Sequence, residues 1–393
     1  MLPFLLFYAV IYMSNAVYGT YLPVYLQSVG STSSQIGLAL SLGSLVSILA
    51  QPIWGSIADR AKTKNNVLKL MIVCSIGVIL LFPLSDHFAY LLIAICVFTG
   101  VQTSIIPLTD TVTLEALDKQ KRWTFGNIRM GGTFGFAAMS IAFGFIASKR
   151  IDMMFFIYAA ILFVCFMLLF RFPAVSGHQS AGGKMNIGVL LKNRKLMTYL
   201  GISTVLQTLL GYYYTFYPIY MYNMGGNSVL LGWSMVISSL SEVPFLLLSG
   251  LILKRVRVAP ILLAVSLVSA LRWFAFSFTD NAAWFLPAQL LHGLMFIVLT
   301  VTMAVYINSE VPKELKASGQ SVNALMTAGV ARISGSFFGG IASDAFGIRQ
   351  VFHFNGWLAL VCAGFIVWVI LRENAERRRQ TSEQSAEASG QPH

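Results

Sequence analysis

Apolar residues in this chain come in long, nearly unbroken runs, and polar residues are confined to short gaps between them. A helix needs about 20 mainly apolar residues to cross a bilayer. Twelve runs of that kind are predicted, near 3–28, 35–58, 66–84, 88–114, 125–148, 151–171, 196–222, 228–253, 258–279, 283–308, 317–342 and 350–371. Gaps such as Ser31-Thr32-Ser33-Ser34 and Gly225-Gly226-Asn227 hold only a few turn-forming residues. The chain therefore weaves across the membrane with almost no mass outside it. That leaves no room for a soluble catalytic domain. The expected fold is an all-α integral membrane protein of twelve transmembrane helices.

Composition agrees. Of 393 residues, 56% are hydrophobic and 11% charged, against about 45–50% and about 25% in soluble domains. Too little charge is present to cover a soluble surface, which excludes a soluble enzyme, a disordered chain and a fibrous one. Cys74, Cys96, Cys165 and Cys362 all fall inside apolar runs, with neither metal-ligand spacing nor a disulfide framework. The first run continues past Leu22 without a cleavage site, so no signal peptide is expected.

The net charge of +12 is positional rather than a sign of nucleic-acid binding. Apart from Lys149, Arg150, Arg349 and three embedded arginines, every Lys and Arg lies in alternate gaps or in the C-terminal tail. Positive residues mark the cytoplasmic side, so both termini are expected there, in the cell membrane. The longest break, Phe172 to Lys195, divides six runs from six, the arrangement of repeat-built transporters. This predicts a bundle at 1–172, a cytoplasmic linker at 173–195, a second bundle at 196–372 and a disordered cytoplasmic tail at 373–393. Within the linker, Met185 to Lys195 has the character of a surface-lying helix.

Between runs two and three stands Gly55-Ser56-Ile57-Ala58-Asp59-Arg60-Ala61-Lys62-Thr63-Lys64. It resembles the loop signature of the major facilitator superfamily, whose conserved-type positions here are Gly55, Asp59 and Arg60. Pro107-Leu108-Thr109-Asp110, Phe125-Gly126-Asn127-Ile128-Arg129, Ser241-Glu242-Val243-Pro244, Leu271-Arg272-Trp273 and Leu291-His292-Gly293 follow in order. This series is similar to the lactose-permease-related branch, which includes phenylpropionate permeases and nucleoside:proton symporters. The resemblance implies two six-helix bundles in the superfamily fold. It also implies that Asp110 and Arg129 match a carboxylate and an arginine used for substrate binding.

Ionisable side chains at mid-bilayer cost about 2.5–3.5 kcal/mol each on insertion scales, so they are functional candidates by default. Asp110 and Arg129 sit at one depth, ~10–14 Å inside the membrane, on successive antiparallel helices. They can pair, either to hold those helices in register or to bind substrate. Glu242, Arg272 and His292 reach a central layer of the second half and form a titratable cluster. Glu242 and His292 are the candidates for proton coupling, and Arg272 for substrate binding. Where the lactose member of the branch carries a further carboxylate, three residues beyond the histidine, this chain has Met295.

Arg332 also lies mid-membrane. Three embedded arginines face only two embedded carboxylates, so Arg332 can bind an anionic ligand or pair with Glu242 and release Arg272. Tyr8, Tyr12 and Tyr18 in run one, with Gln207, Tyr212, Tyr213 and Tyr217 in run seven, occupy symmetry-related helices. Tyr12 and Gln207 are deep enough to count as binding residues. Gly131/Gly135 and Gly335/Gly339 have the spacing that lets helices pack closely or slide.

These features point to a secondary transporter working by alternating access, a proton symporter for a small organic solute such as an organic or aromatic acid, a nucleoside or a sugar. Proton-antiport efflux is the alternative within that class. A non-transporting sensor would have lost the embedded charges. No nucleotide-binding loop, cofactor motif or metal cluster is expected, and the expected partners are solute, protons and lipid around a functional monomer.

Overall fold

The computed structural model describes residues 1–117, 123–175, 192–311 and 315–388. Within them the helices group into twelve rods. The first half holds Leu2–Ser28, Ser33–Arg60, Lys64–Ile79, the pair Phe88–Gln102 and Ile105–Leu117, Phe125–Ala147 and Met153–Leu169. The second half holds Arg194–Asn223, Ser228–Arg255, Val258–Phe278, the pieces Phe285–Gln289 and His292–Glu310, then Lys316–Phe346 in three parts, and Ile348–Ala388. These are spans one to twelve below, and each falls on an apolar run of the sequence.

Local chemistry sets the ends. Thr32 and Gln35 form a reciprocal capping box at the start of span two. Thr124 caps span five and Asn193 caps span seven, each accepting a backbone N–H. Gly30 and Gly225 both have positive φ, +88° and +79°. They close the first turn of each half at corresponding places, where a side chain would be strained.

Among the described residues, nine helices are long and apolar enough to cross a membrane. Spans six, seven and eleven complete the twelve, and span six is simply shorter. Spans seven and eleven are less apolar because they carry Gln207 and the tyrosines, and Asn323, Thr327 and Arg332. Gln207, Asn323, Thr327 and Arg332 prove to line a cavity.

Three spans are broken where the sequence showed one run. Span four interrupts just before Pro107, which has no N–H to give the preceding turn. Span ten breaks before His292-Gly293; there the Gly293 N–H reaches Ser241 Oγ at 2.9 Å, and a Cβ would stand 2.1 Å from the Ser241 carbonyl oxygen. Span eleven widens into a π-helical stretch at Leu325–Ala331. The last helix runs to Ala388, through part of the segment expected to be a disordered tail from 373. Its start is pinned by Tyr199 donating to Glu373 at 2.7 Å and by an Arg372–Glu376 pair one turn apart. The surface helix expected at Met185 to Lys195 falls largely outside the described residues. Where the linker begins, Asn65 binds Pro173 and Val175 through its side chain.

Span one packs against five and six, and span two against four; in the second half, nine packs on twelve, eight on ten, and seven on eleven. The halves meet chiefly through spans two with eleven and five with eight. A Cβ on Gly37 would lie 2.3 Å from the Ser336 carbonyl oxygen, and one on Gly232 would lie 2.3 Å from that of Ser140. Gly144 likewise abuts Ser228. Tyr21 donates to the Ser228 carbonyl, and Gln27 bonds Asn223. All these contacts lie toward the face away from the termini, so the halves are pinned there.

The glycine pairs singled out by spacing act within each half. Gly131 and Gly135 lie against Leu5 and Ala9 of span one, and Gly335 and Gly339 against Thr208 and Tyr212 of span seven. Close packing is what they provide.

Candidate functional site

Asp110 and Arg129 do pair. Arg129 donates to Asp110 Oδ2 at 3.0 Å and, with its other terminal nitrogen, to Tyr12 Oη at 2.9 Å. Tyr8 donates to Asp110 Oδ1 at 2.5 Å. The arginine side chain is 45% exposed and the aspartate 24%. A bridge serving only to lock two helices would be enclosed by them; this one is partly exposed.

The second half holds a longer chain of polar groups. Arg272 is fully buried, and its guanidinium lies 4.3 Å from the Tyr213 ring centroid. It donates to Gln289 Oε1 and, at 3.1 Å, to His292 Nδ1. Arginine has no acceptor, so Nδ1 must be the unprotonated nitrogen and the proton of His292 sits on Nε2. That nitrogen lies 3.2 Å from Tyr214 Oη and 3.6 Å from Glu242 Oε1. A second proton on His292 would point an N–H at the guanidinium. Arg272 thereby keeps His292 neutral and leaves Glu242 as the acid of the cluster. Arg272 itself, expected at the substrate, lines neither of the cavities described next.

One cavity of about 380 Å³ is lined by Ser203, Gln207 and Tyr214 of span seven, Phe296 of span ten, and Asn323 and Arg332 of span eleven, among others. A second, of about 580 Å³, lies between spans two, four and eleven, with Ser44, Ser47, Gln51, Thr99, Gln102 and Thr103 on its wall. Arg332 lines both. Its guanidinium stacks 4.9 Å from the Tyr214 ring centroid. Among the described residues it makes no hydrogen bond and no ion pair, and the ion-pair contact of Glu242 is with His292. Of the two expectations for Arg332, pairing with Glu242 does not occur.

Gln207 lines the smaller cavity as expected. Tyr212, Tyr213 and Tyr217 are turned inward, onto Ser343, Gln289 and Ser234. Tyr214 faces the cavity instead, a residue that the run of tyrosines hid. Gln289 was legible only as three residues before His292, on the same helical face. Asp59 and Arg60 make no ion pair among the described residues, and nothing lies within 4 Å of a Cβ built on Gly55. Among the described residues no group of His, Cys, Asp and Glu could hold a metal ion.

The profile of the MFS_1 like family matches residues 2–354. Transporter YwbF of Bacillus subtilis (strain 168) is 26% identical over 90% of this chain and 88% of its own. The maltose permease of Geobacillus stearothermophilus is 24% identical over 97% and 96%. The multidrug resistance protein MdtG of Rahnella sp. (strain Y9602) is 25% identical over 90% and 89%. Among solved structures, the nucleoside transporter NupG superposes with a TM-score of 0.84 at 16% identity, covering 94% of this chain and 98% of that one. A bacterial homologue of the lysosomal transporter Spinster, in an inward-facing conformation, gives 0.71 at 14% identity, covering 93% and 95%. With two six-helix halves, a charged space between them and a profile match along most of its length, this chain is a transporter and not an enzyme, and it belongs to the MFS_1 like family of the major facilitator superfamily.

Proposed function

We propose that the protein is a proton-coupled symporter that carries a small polar organic solute into the cell by alternating access, as a monomer with both termini cytoplasmic. The observation that carries this reading is Glu242. It is a carboxylate in the membrane interior, 24% exposed, whose basic neighbour among the described residues is His292, at 3.6 Å and held neutral by Arg272. A group so placed can take a proton from the space between the halves and release it when that space changes sides. Asp110, by contrast, is paired with Arg129 and takes a hydrogen bond from Tyr8, an arrangement suited to binding. Tyr12 joins Arg129 in that binding group and lies within electrostatic reach of Glu242, so solute and proton would share one chamber.

The test is uptake into proteoliposomes with an imposed pH gradient, acid outside. Solute accumulation driven by that gradient supports symport. Accumulation only when the interior is acid would favour the second reading, proton-antiport efflux, to which the similarity to MdtG lends weight.

A further inference from the structure

The transporter reading leaves the solute unnamed, and Arg332 narrows it. We propose that the solute is an organic monoanion whose acidic head binds Arg332 where the two cavities meet, and whose other end carries a hydrogen-bond donor; this rests on the transporter reading.

Three embedded arginines face two embedded carboxylates, and Arg129 already has Asp110. Arg272 donates from both terminal nitrogens to neutral acceptors, Gln289 and His292, with its Nε unpartnered, in a fully buried setting that lines neither cavity. Of the two arginines without a carboxylate partner, Arg332 is the one that borders the cavities, and it has only the face of Tyr214 beneath it. An aromatic face leaves the N–H edges of a guanidinium free, and those edges suit a carboxylate held through two parallel bonds. While Glu242 is ionised, a monoanion there would bring the embedded charge to zero, whereas a neutral solute would leave an unbalanced cation in a poorly solvated chamber.

The same cavity carries a second unmet demand. Asn323 Oδ1 is buried without a partner, and Asn323 lines the cavity with Arg332. An acceptor of that kind calls for an uncharged donor such as a hydroxyl. The adjoining wall, Ser44, Ser47, Gln51, Thr99, Gln102 and Thr103, has hydroxyls and amides but no further cation. It suits the uncharged, hydroxylated part of a solute and offers nothing to a second acidic group.

Tyr214 gives the anion a route to the proton site. Its ring supports Arg332 while its hydroxyl meets His292 Nε2, the nitrogen beside Glu242.

The full-length protein in detergent is titrated with gluconate, a hydroxylated monoanion, with 3-phenylpropionate, a monoanion without hydroxyls, and with neutral glucose and uridine, following thermal stability and heat of binding. Gluconate should bind most tightly. Arg332→Gln should weaken it about tenfold or more, as expected on losing a charge-assisted contact, and Arg332→Lys should recover part of the loss. Melting of the unliganded variants close to that of the parent separates binding from folding. Glucose or uridine binding more tightly than both anions, or Arg332→Gln leaving gluconate affinity unchanged, would overturn the proposal. Tighter binding of 3-phenylpropionate than gluconate would overturn the donor requirement. Because binding in detergent needs no gradient, its failure is distinct from a failure of proton-driven uptake.

Discussion

The carboxylate of Asp344, near the end of span eleven, accepts the backbone N–H of Ser34 at the start of span two, at 2.8 Å, and that of Ser33 at 2.9 Å. One residue of the second half thus satisfies two free donors at a helix N-terminus of the first, where negative charge is favoured. Asp344 joins the halves on the face away from the termini. Asp59, in the signature loop of span two, borders the opposite face and has no counterpart contact among the described residues.

Removing that charge should loosen the closed face. Asp344→Asn keeps the shape but loses the charge on two charge-assisted bonds, about 0.5–1 kcal/mol for an exposed group. Spin labels at Ser31→Cys and Asn227→Cys should report a larger share of long distances in the variant. An unchanged distribution would show that the glycine contacts alone hold the face.

Those contacts make a sharper test. Gly37→Ala places a Cβ 2.3 Å from the Ser336 carbonyl oxygen, backbone against backbone, with no flexible side chain to yield. The same label pair should shift to long distances, and further than for Asp344→Asn. Gly55→Ala, whose Cβ meets nothing within 4 Å, should leave the distribution as it was.

For the Asp110–Arg129 pair, either single change to Ala should lower yield and stability by about 1–3 kcal/mol, since each leaves a partly buried partner unmatched. Exchanging the two residues should restore expression. It should not restore uptake, because Tyr8 and Tyr12 would then face the wrong charges. Full uptake by the exchanged protein would make the pair an architectural bridge.

Glu242→Gln stands for the permanently protonated carrier. It should still bind solute and exchange it between equal pools, measured by counterflow, but should not accumulate it against a gradient. Solute binding should also lose its pH dependence. Retained proton-driven accumulation would move coupling to Asp110.

Arg272→Gln should behave differently from all of these. With its guanidinium bonded to Gln289 and His292 inside an aromatic cluster of Tyr213, Trp273 and Phe276, the loss should appear mainly as lowered melting, by about 3 kcal/mol. Freed of the guanidinium, His292 could also take a second proton. The pH profile of binding would then gain a histidine-like step absent from the parent.

The run lengths alone give the twelve spans because bilayer thickness permits few other solutions. The pairing of Asp110 with Arg129 was legible for a similar reason, since depth along two antiparallel helices is arithmetic. What sequence could not resolve was azimuth. Arg272 and Arg332 sit at similar depths, yet one is walled in by rings and the other borders a cavity. Tyr213 and Tyr214 are neighbours in the chain, and only their rotation about the helix axis makes one core and the other lining. The breaks in spans four and ten were hidden because an apolar run reads the same whether its hydrogen bonds continue or not.

The widened turns of span eleven bear on that azimuth. A π-helical turn spaces its hydrogen bonds one residue wider than an α-helical one, and one residue of an α-helix is about 100° of rotation. Above Leu325–Ala331 the helix is keyed to spans two and seven through Gly340 and Gly335; below it, Lys316–Ala324 rests on span ten instead, with Gly319 against Ile307 and Gln320 donating to the Ala304 carbonyl. Rewinding those turns to α-helix would revolve the lower segment, and Asn323 with it, about its own axis while the upper segment stayed locked. The chamber could therefore change the side chains that it presents by torsion within one helix, without translating either half.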